Sequence, residues 1–254
     1  MSALTALALF ASGLVASVFG SLAGLGGGFV VVPLLRVAFG IAPAAVAGTS
    51  LIFVLANTAA SSVGYLRDGK TDVRLAAWMT AGAVPASIVG VLAVRRVSGS
   101  GFDIAYGVLL AAIAVLVIRR RGVASRAAGE RTFAHDWRVG LAAGLVVGFF
   151  SSLFGIGGGF VTIPLLLIAA RMQPHTVTAT SSFVIMTTAP VGVIAHALAG
   201  DVDWMLTLPL VAGGLIGGAL APPLARRVSS PRLLTILASA LFLASAGMIA
   251  RHVI

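Results

Sequence analysis

The chain has 254 residues, of which 59% are hydrophobic and only 9% are charged. Soluble domains carry roughly 25% charged residues, so this composition excludes a soluble enzyme and predicts a multi-pass helical membrane protein in a lipid bilayer. The 17 Lys and Arg residues outnumber the 7 Asp and Glu residues. They lie mainly between apolar stretches, where membrane topology explains them without a nucleic-acid partner. The chain has no cysteine, which excludes disulfides and thiolate metal sites.

Ten apolar blocks follow one another along the chain, and each is expected to be helical. The blocks are 3–22, 28–40, 43–66, 73–94, 102–118, 138–154, 159–170, 174–198, 204–225 and 231–250. The most polar stretch runs from Arg119 to Arg138 and divides the chain nearly in half. We therefore predict a first repeat over residues 1–118, a basic linker over 119–137 and a second repeat over 138–254.

The two halves align without a gap when the sequence is shifted by 131 residues. The longest match joins the glycine-rich segment 24–30 to segment 155–161. The other matches are Pro33 with Pro164, Pro43 with Pro174, Thr49-Ser50 with Thr180-Ser181, Asp72 with Asp203, and Arg95-Arg96 with Arg226-Arg227. Ordered glycine, proline and hydroxyl matches do not arise from biased apolar composition, so the sequence indicates an internal duplication.

The charge distribution favours opposite orientations for the two halves. If each glycine-rich break turns the chain back, residues 3–40 begin and end on the same side of the membrane. Thirteen of the 17 Lys and Arg residues then share the linker's side, and only Arg36, Arg95, Arg96 and Arg251 lie opposite. Positive residues concentrate in cytoplasmic loops. The sequence predicts inverted repeats, each a glycine-broken re-entrant hairpin plus three transmembrane helices, with the linker cytoplasmic and both termini periplasmic.

Paired glycine breaks at matching positions are typical of a transporter's substrate site. A helix that breaks inside the membrane exposes backbone N–H and C=O groups, which lipid cannot satisfy. The half-helices that start near Phe29 and Phe160 would direct free N–H groups and positive dipole ends at the break. No Asp, Glu, Lys or Arg occupies a central span position. An anionic substrate would therefore be held by backbone N–H groups and neutral hydroxyls.

These considerations select the candidate substrate-binding residues, which fall at equivalent places in the two repeats. They are Gly26, Gly27, Gly28, Phe29, Pro33, Thr49, Ser50 and Asn57 in the first repeat, and Gly157, Gly158, Gly159, Phe160, Pro164, Thr180, Ser181 and Thr188 in the second. Asn57 aligns with Thr188, so this pair is asymmetric. Neutral hydroxyls in apolar helices also bond back to their own helix, so packing is the alternative role for each of them.

Other polar residues have simpler interpretations. Asp72 and Asp203 precede spans and are predicted to be helix N-caps, with a coupling-ion role as the alternative. His175 and His196 lie near span ends and are predicted to be interfacial. The stripes Gly140-xxx-Gly144-xxx-Gly148 and Gly213-xxx-Gly217 predict close helix packing. The scattered histidines predict no metal site, Ser181 and His196 are too far apart for a catalytic pair on one helix, and no catalytic residue or cofactor is expected.

The twin Gly-x-Gly-Gly-Gly-Phe-x-x-x-Pro-Leu-Leu segments, each followed by Pro and then Thr-Ser, resemble the TauE/SafE sulfite exporter family, also called toluene sulfonate uptake permeases. The resemblance covers nearly the whole chain. It implies a secondary transporter of the bacterial inner membrane that moves sulfite or a short organosulfonate such as sulfoacetate. A passive anion channel and a non-transporting accessory subunit of sulfur metabolism are the alternatives. No intramembrane carboxylate identifies Na⁺ or H⁺ as the coupling ion.

Overall fold

A computed structural model describes residues 2–124, 136–168, 172–227, 238–239 and 241–248. The described residues form helices joined by short connections and contain no β-strand. The predicted all-α membrane fold is confirmed. Residues 125–135 of the predicted linker lie outside the described residues, as does much of the predicted block 231–250.

The helices follow the predicted apolar blocks closely. They are α1 (Ala3–Ala23), α2 (Gly28–Pro33), α3 (Pro43–Arg67), α4 (Val73–Val94), α5 (Gly99–Ala124), α6 (Trp137–Phe154), α7 (Gly159–Ile168), α8 (Pro174–Leu198) and α9 (Trp204–Ala225). Helix α2 continues as a π-helix over Leu34–Ala38, and residues 241–248 are also helical.

Within the described part of the chain, six helices are long and apolar enough to cross a membrane: α1, α3, α4, α6, α8 and α9. Large apolar side chains such as Leu7, Val89 and Leu208 are exposed on their outer faces. In contrast, the Ser, Thr and Asn side chains in the middle of α3 are fully buried. This distribution suits a protein surrounded by lipid, in which polar groups must find partners inside the fold.

The ends of the long helices follow from local sequence. Pro43 and Pro174 begin α3 and α8, where proline's missing N–H costs nothing. Asp72 accepts a hydrogen bond from the Leu75 N–H, and Asp203 accepts from the first turn of α9. The predicted N-cap role of both aspartates is confirmed.

Each glycine break reverses the chain. Helix α1 ends at Gly24, and Gly24, Gly26 and Gly27 all have positive φ, which a residue with a Cβ rarely adopts. A methyl group added at Gly27 would overlap the carbonyl oxygen of Ala16 in α1. The chain therefore folds back beside α1 as soon as it leaves the break. Gly155, Gly157 and Gly158 repeat this conformation after α6.

The first helix of each repeat packs closely along a helix of the other repeat: α6 lies along α4, and α1 lies along α9. A methyl group at Gly144 of α6 would overlap the Met79 backbone of α4, and one at Gly217 of α9 would overlap the Leu14 carbonyl of α1. The packing role predicted for both glycine stripes is confirmed. Gly148, one turn after Gly144 in α6, packs against Ala83, which is one turn after Met79 in α4. Helices α4 and α6 therefore run parallel.

Helices α3 and α9 also run parallel, because successive residues of one meet successive residues of the other. Gly214 packs against the Phe53 ring, and Gly218 lies one turn further along, against Asn57. Helices α3 and α8 are the most buried of the membrane-length helices. They place Val54 and Ile185 near the middle of their lengths, at the centre of the fold.

A buried ion pair holds the first hairpin against α5. Arg36, in the π-helical segment, is 6% exposed, and its Nε and Nη2 atoms each lie 2.6 Å from the carboxylate oxygens of Asp103. The same guanidinium donates to the carbonyl oxygens of Ile41 and Gly99. The sequence analysis missed this pair because Leu167 and Leu234 occupy the equivalent positions in the second repeat.

Candidate functional site

The two glycine breaks lie directly against each other. A methyl group added at Gly28 would overlap the carbonyl oxygen of Gly155, and one at Gly159 would overlap the carbonyl oxygen of Gly24. Both contacts are between backbone atoms, so only glycine allows this approach. The first residues of α2 and α7 are thereby brought to one place in the middle of the fold.

Each break is connected to the opposite repeat by one serine. Ser50 of α3 donates to the Gly155 carbonyl oxygen at 2.8 Å, and Ser181 of α8 donates to the Gly24 carbonyl oxygen at 2.7 Å. Both side chains are fully buried. Each serine therefore donates to a carbonyl that the break of the opposite repeat leaves without a helical partner. The structure places both predicted residues at the breaks.

Asn57 supports the first break from a different side. Its Nδ2 donates to the Gly26 carbonyl oxygen at 2.8 Å, while its Oδ1 accepts hydrogen bonds from the Ser17 and Ser21 hydroxyls. The equivalent Thr188 contacts the carbonyl oxygen of Ile185 in its own helix. The pairing of Asn57 with Thr188 in the sequence thus corresponds to a difference in structure, because the side-chain amide of Asn57 bonds to the first break and Thr188 bonds within its own helix.

The amide groups at the start of each half-helix have no partner in the described part of the chain. Their nitrogens belong to residues 26–29 at the first break and 157–160 at the second. All eight residues are buried. Buried backbone N–H groups in folded proteins are almost always hydrogen-bonded, and free N–H groups at helix N-termini bind anions. The two breaks therefore bring two sets of unpaired backbone N–H groups to one place in the fold.

Apolar side chains fill the space beside these donors. A methyl group at Gly157 would overlap both Val54 and Ile185, and one at Gly26 would contact the same two side chains. Val54 and Ile185 are fully buried and occupy equivalent positions in the two repeats. The sequence analysis missed them because apolar residues in apolar helices carry no signal. An anion between the breaks would require them to separate in part from Val54 and Ile185.

The hydroxyls of Thr49 and Thr180 bond to loops of the opposite repeat. Thr49 accepts a hydrogen bond from the Asp203 N–H at 3.0 Å, and Thr180 accepts from the Asp72 N–H at 2.9 Å. Each threonine therefore binds the loop before the last long helix of the opposite repeat. Phe29 and Phe160 are buried in the first turn of α2 and α7.

Pro33 and Pro164 lie inside the half-helices, five residues beyond their starts. At 1.5 Å per residue this is about 7 Å from the break, so their rings do not form part of it. The residues brought together at the centre are the six glycines of the two triplets, Ser50, Ser181 and Asn57, with Val54 and Ile185 beside them.

His196 is near the end of α8, as predicted, and its side chain is fully buried. Its Nε2 lies 2.9 Å from the Ser152 carbonyl oxygen. The equivalent residue of the first repeat, Tyr65, donates to the equivalent carbonyl oxygen, that of Ser21, at 2.9 Å. The 131-residue offset aligns Tyr65 with His196 and Ser21 with Ser152. This alignment was the sequence signal that could have predicted equivalent buried positions for Tyr65 and His196.

The described residues contain no group of three or more His, Cys, Asp or Glu side chains that could hold a metal ion. Nor do nucleophile and base side chains meet at the breaks. The arrangement leaves backbone N–H groups as the free donors at the breaks, because the Ser50 and Ser181 hydroxyls already donate to break carbonyls.

Comparison with known proteins agrees with this assignment of the fold to a membrane protein. The chain is 28% identical over 258 residues to a "Probable membrane transporter protein YunE" of Bacillus subtilis, covering 93% of this chain and 94% of that protein. It is 31% identical over 225 residues to a "Probable membrane transporter protein" of Xylella fastidiosa, covering 87% and 84% of the two chains. No solved structure matches the chain. The profile of the family described as "Sulfite exporter TauE/SafE" matches residues 9–248, and the chain belongs to this family of multi-pass membrane proteins.

Proposed function

We propose that this protein is a secondary transporter that moves a small sulfur-containing anion, sulfite or a short organosulfonate such as sulfoacetate, across the bacterial inner membrane by alternating access. Membership of the sulfite exporter family and the names of the relatives support transport. The observation that carries the site is the meeting of the two half-helix starts, which brings their unpaired N–H groups to one place in the fold. The anion would bind there without a charged side chain.

The geometry of the sulfur oxyanion fits these donors. Sulfite and sulfonates present three oxygen acceptors around one sulfur, and backbone N–H groups at two helix N-termini supply several directed donors with favourable dipoles. A sulfonate's organic group would lie against apolar side chains such as Val54 and Ile185. These two side chains are therefore proposed to set the size of the anion.

Our proposal includes inverted repeats, and the direction of the helices supports it. Helix α3 runs parallel to α9, as the steps from Phe53 to Asn57 and from Gly214 to Gly218 indicate. Helices α8 and α9 are joined by five residues, so two spans connected in this way cross in opposite directions. Helix α3 then opposes its equivalent, α8. Alternating access would move one repeat against the other at the glycine breaks, with both termini periplasmic and the linker cytoplasmic.

The direct test is uptake of radiolabelled sulfite by liposomes that contain the purified protein. The site variant is Gly26→Ala, because its added methyl group points at the Val54 and Thr58 side chains and not at backbone atoms. The control is Gly40→Ala, since Gly40 has a similar positive φ but no neighbour within 4 Å. The two variants carry the same backbone strain, and only one of them alters the break.

We expect sulfite uptake by the wild-type protein, at least a tenfold loss in Gly26→Ala and near-normal uptake in Gly40→Ala. Equal uptake by both variants would remove the break from the substrate site. Uptake that shows no counterflow of labelled substrate would indicate a passive channel. A protein that transports none of sulfite, sulfoacetate and isethionate would contradict the proposed function and favour the accessory-subunit alternative.

A further inference from the structure

His196 lies in a buried charged cluster at the end of the fold where α8 joins α9. Its Nε2 lies 2.9 Å from the Ser152 carbonyl oxygen, and its Nδ1 lies 3.3 Å from Oδ2 of Asp201. Both ring nitrogens thus face an oxygen acceptor. A neutral imidazole has only one N–H, so it satisfies one of these acceptors, whereas an imidazolium donates to both.

A third charged group reaches the same carboxylate oxygen. Nε of Arg95 lies 3.6 Å from Oδ2 of Asp201, and its Nη2 donates to the Ala199 carbonyl oxygen. Arg95 belongs to the first repeat, while His196 and Asp201 belong to the second. The Arg95 side chain is 49% exposed, whereas that of His196 is fully buried. Arg95 therefore lies at the surface of the cluster, whereas the His196 ring lies inside it.

The remaining elements around the ring contribute no charge. Helix α3 presents Gly48, whose added methyl group would contact the Cβ of His196, and α6 presents the backbone of Ser152. Within the described residues, Asp201 and Arg95 are thus the charged groups that face His196. The loop holds Asp201 in place, because its N–H donates to the His196 carbonyl oxygen at 2.9 Å.

The first repeat has a similar construction with a tyrosine in place of the histidine. Tyr65 occupies the position of His196, and Arg226 occupies that of Arg95 and pairs with Asp68 in the opposite loop. Tyr65 only donates to the Ser21 carbonyl oxygen, which shows that the packing itself needs a donor and not a charge. The second repeat therefore carries a proton-binding group that the fold does not require.

We propose that His196 and Asp201 form a proton-binding site, an imidazolium–carboxylate pair whose proton is released to solvent when Arg95 moves onto the Asp201 carboxylate. Arg95 and His196 compete for one oxygen atom, so a closer Arg95 weakens the hold of Asp201 on the imidazolium. Because Arg95 and the pair belong to different repeats, movement of one repeat against the other changes proton affinity. The coupling role rests on the proposed transport function, whereas the existence of the site does not.

The site is tested by NMR of the full chain with ¹⁵N-labelled histidine in lipid nanodiscs, which reports how many ring nitrogens carry a proton. His196→Tyr, which installs the residue found at the equivalent position, identifies the His196 signals by their loss. We expect two protonated nitrogens at neutral pH in the wild type and one in Asp201→Asn. The control Asp68→Asn, which removes the carboxylate that pairs with Arg226, should leave the His196 signals unchanged. A wild-type ring with a single protonated nitrogen would overturn the proposal.

The role of Arg95 is tested by Arg95→Gln. Loss of the group that competes for Asp201 should change the ¹⁵N signals of the His196 ring, and unchanged signals would exclude Arg95 from the site. In vesicles that accumulate sulfite, His196→Tyr should abolish accumulation driven by a pH gradient and preserve sulfite exchange. Persistent gradient-driven accumulation in this variant would overturn the coupling role. Absence of sulfite transport by the wild type would contradict only the proposed function, because the NMR result stands on its own.

Discussion

Val54 and Ile185 pack against the same two glycines, Gly26 and Gly157, one from each break. They occupy equivalent positions near the middle of α3 and α8, and both are fully buried. The centre of the fold therefore combines two rows of unpaired amide donors with two branched apolar side chains. In the proposed function, an anion that binds between the breaks displaces these two side chains in part.

We predict that Ile185→Ala changes both stability and selectivity. Removing a buried isoleucine to alanine costs about 2–5 kcal/mol in the free energy of unfolding. The space created beside Gly157 should allow longer alkyl sulfonates to compete with sulfite uptake. The matched control is Ile194→Ala on the same helix, since Ile194 is 59% exposed. An unchanged competition series in Ile185→Ala would exclude this side chain from the substrate path.

We predict similar stability losses for Ser50→Ala and Ser181→Ala. Each variant leaves a buried break carbonyl without its donor, which costs about 1–3 kcal/mol. Thermal unfolding in detergent measures the loss, and Ser100→Ala, at an exposed serine, provides the control. Unequal effects of the two variants would show that the two breaks are not energetically equivalent.

We predict that Thr49→Val destabilises the protein while Thr49→Ser does not. The threonine hydroxyl accepts the Asp203 N–H, and valine cannot replace this acceptor. The expected loss is about 1–3 kcal/mol in the free energy of unfolding. Thr180→Val should cause a similar loss, because the Thr180 hydroxyl accepts the Asp72 N–H. If Thr49→Val instead lowered sulfite affinity at unchanged stability, the threonine would belong to the substrate site.

We predict that Asp103→Asn lowers stability strongly, because it leaves the Arg36 guanidinium buried without its counter-ion. Removing one partner of a buried ion pair costs about 3–5 kcal/mol. The double variant Arg36→Met with Asp103→Leu should recover much of this loss, since it removes both charges together. Unfolding of the three proteins in one detergent provides the measurement. Additive losses in the double variant would mean that the two residues do not act as a pair.

Binding can be followed without transport. A ligand at 100 times its dissociation constant stabilises the folded state by about 2.7 kcal/mol, which thermal unfolding resolves. We expect sulfite or a short sulfonate to raise the melting temperature of the wild-type protein, and Gly26→Ala to lose this response while Gly40→Ala keeps it. Stabilisation by acetate alone would instead favour a carboxylate substrate.

The sequence by itself determined the helices, their ends and the duplication. Apolar blocks of membrane length, prolines at helix starts and aspartate N-caps are local signals, because each depends on residues within one or two turns. The 131-residue offset made equivalent positions visible, and the glycine triplets identified the breaks. Of the predicted site residues, the triplets, Ser50, Ser181 and Asn57 lie together at the centre.

Only the tertiary structure decided which partners these residues meet. Sequence equivalence groups Thr49 with Ser50, but adjacent residues on a helix face different directions, so Ser50 reaches a break and Thr49 reaches a loop. Val54 and Ile185 are marked by no composition or motif, and become central because four segments distant in sequence converge on them. The burial of His196 likewise depends on Asp201, Gly48 and Ser152, which pack around it from three different elements. Long-range packing decides these contacts, and local sequence patterns do not encode it.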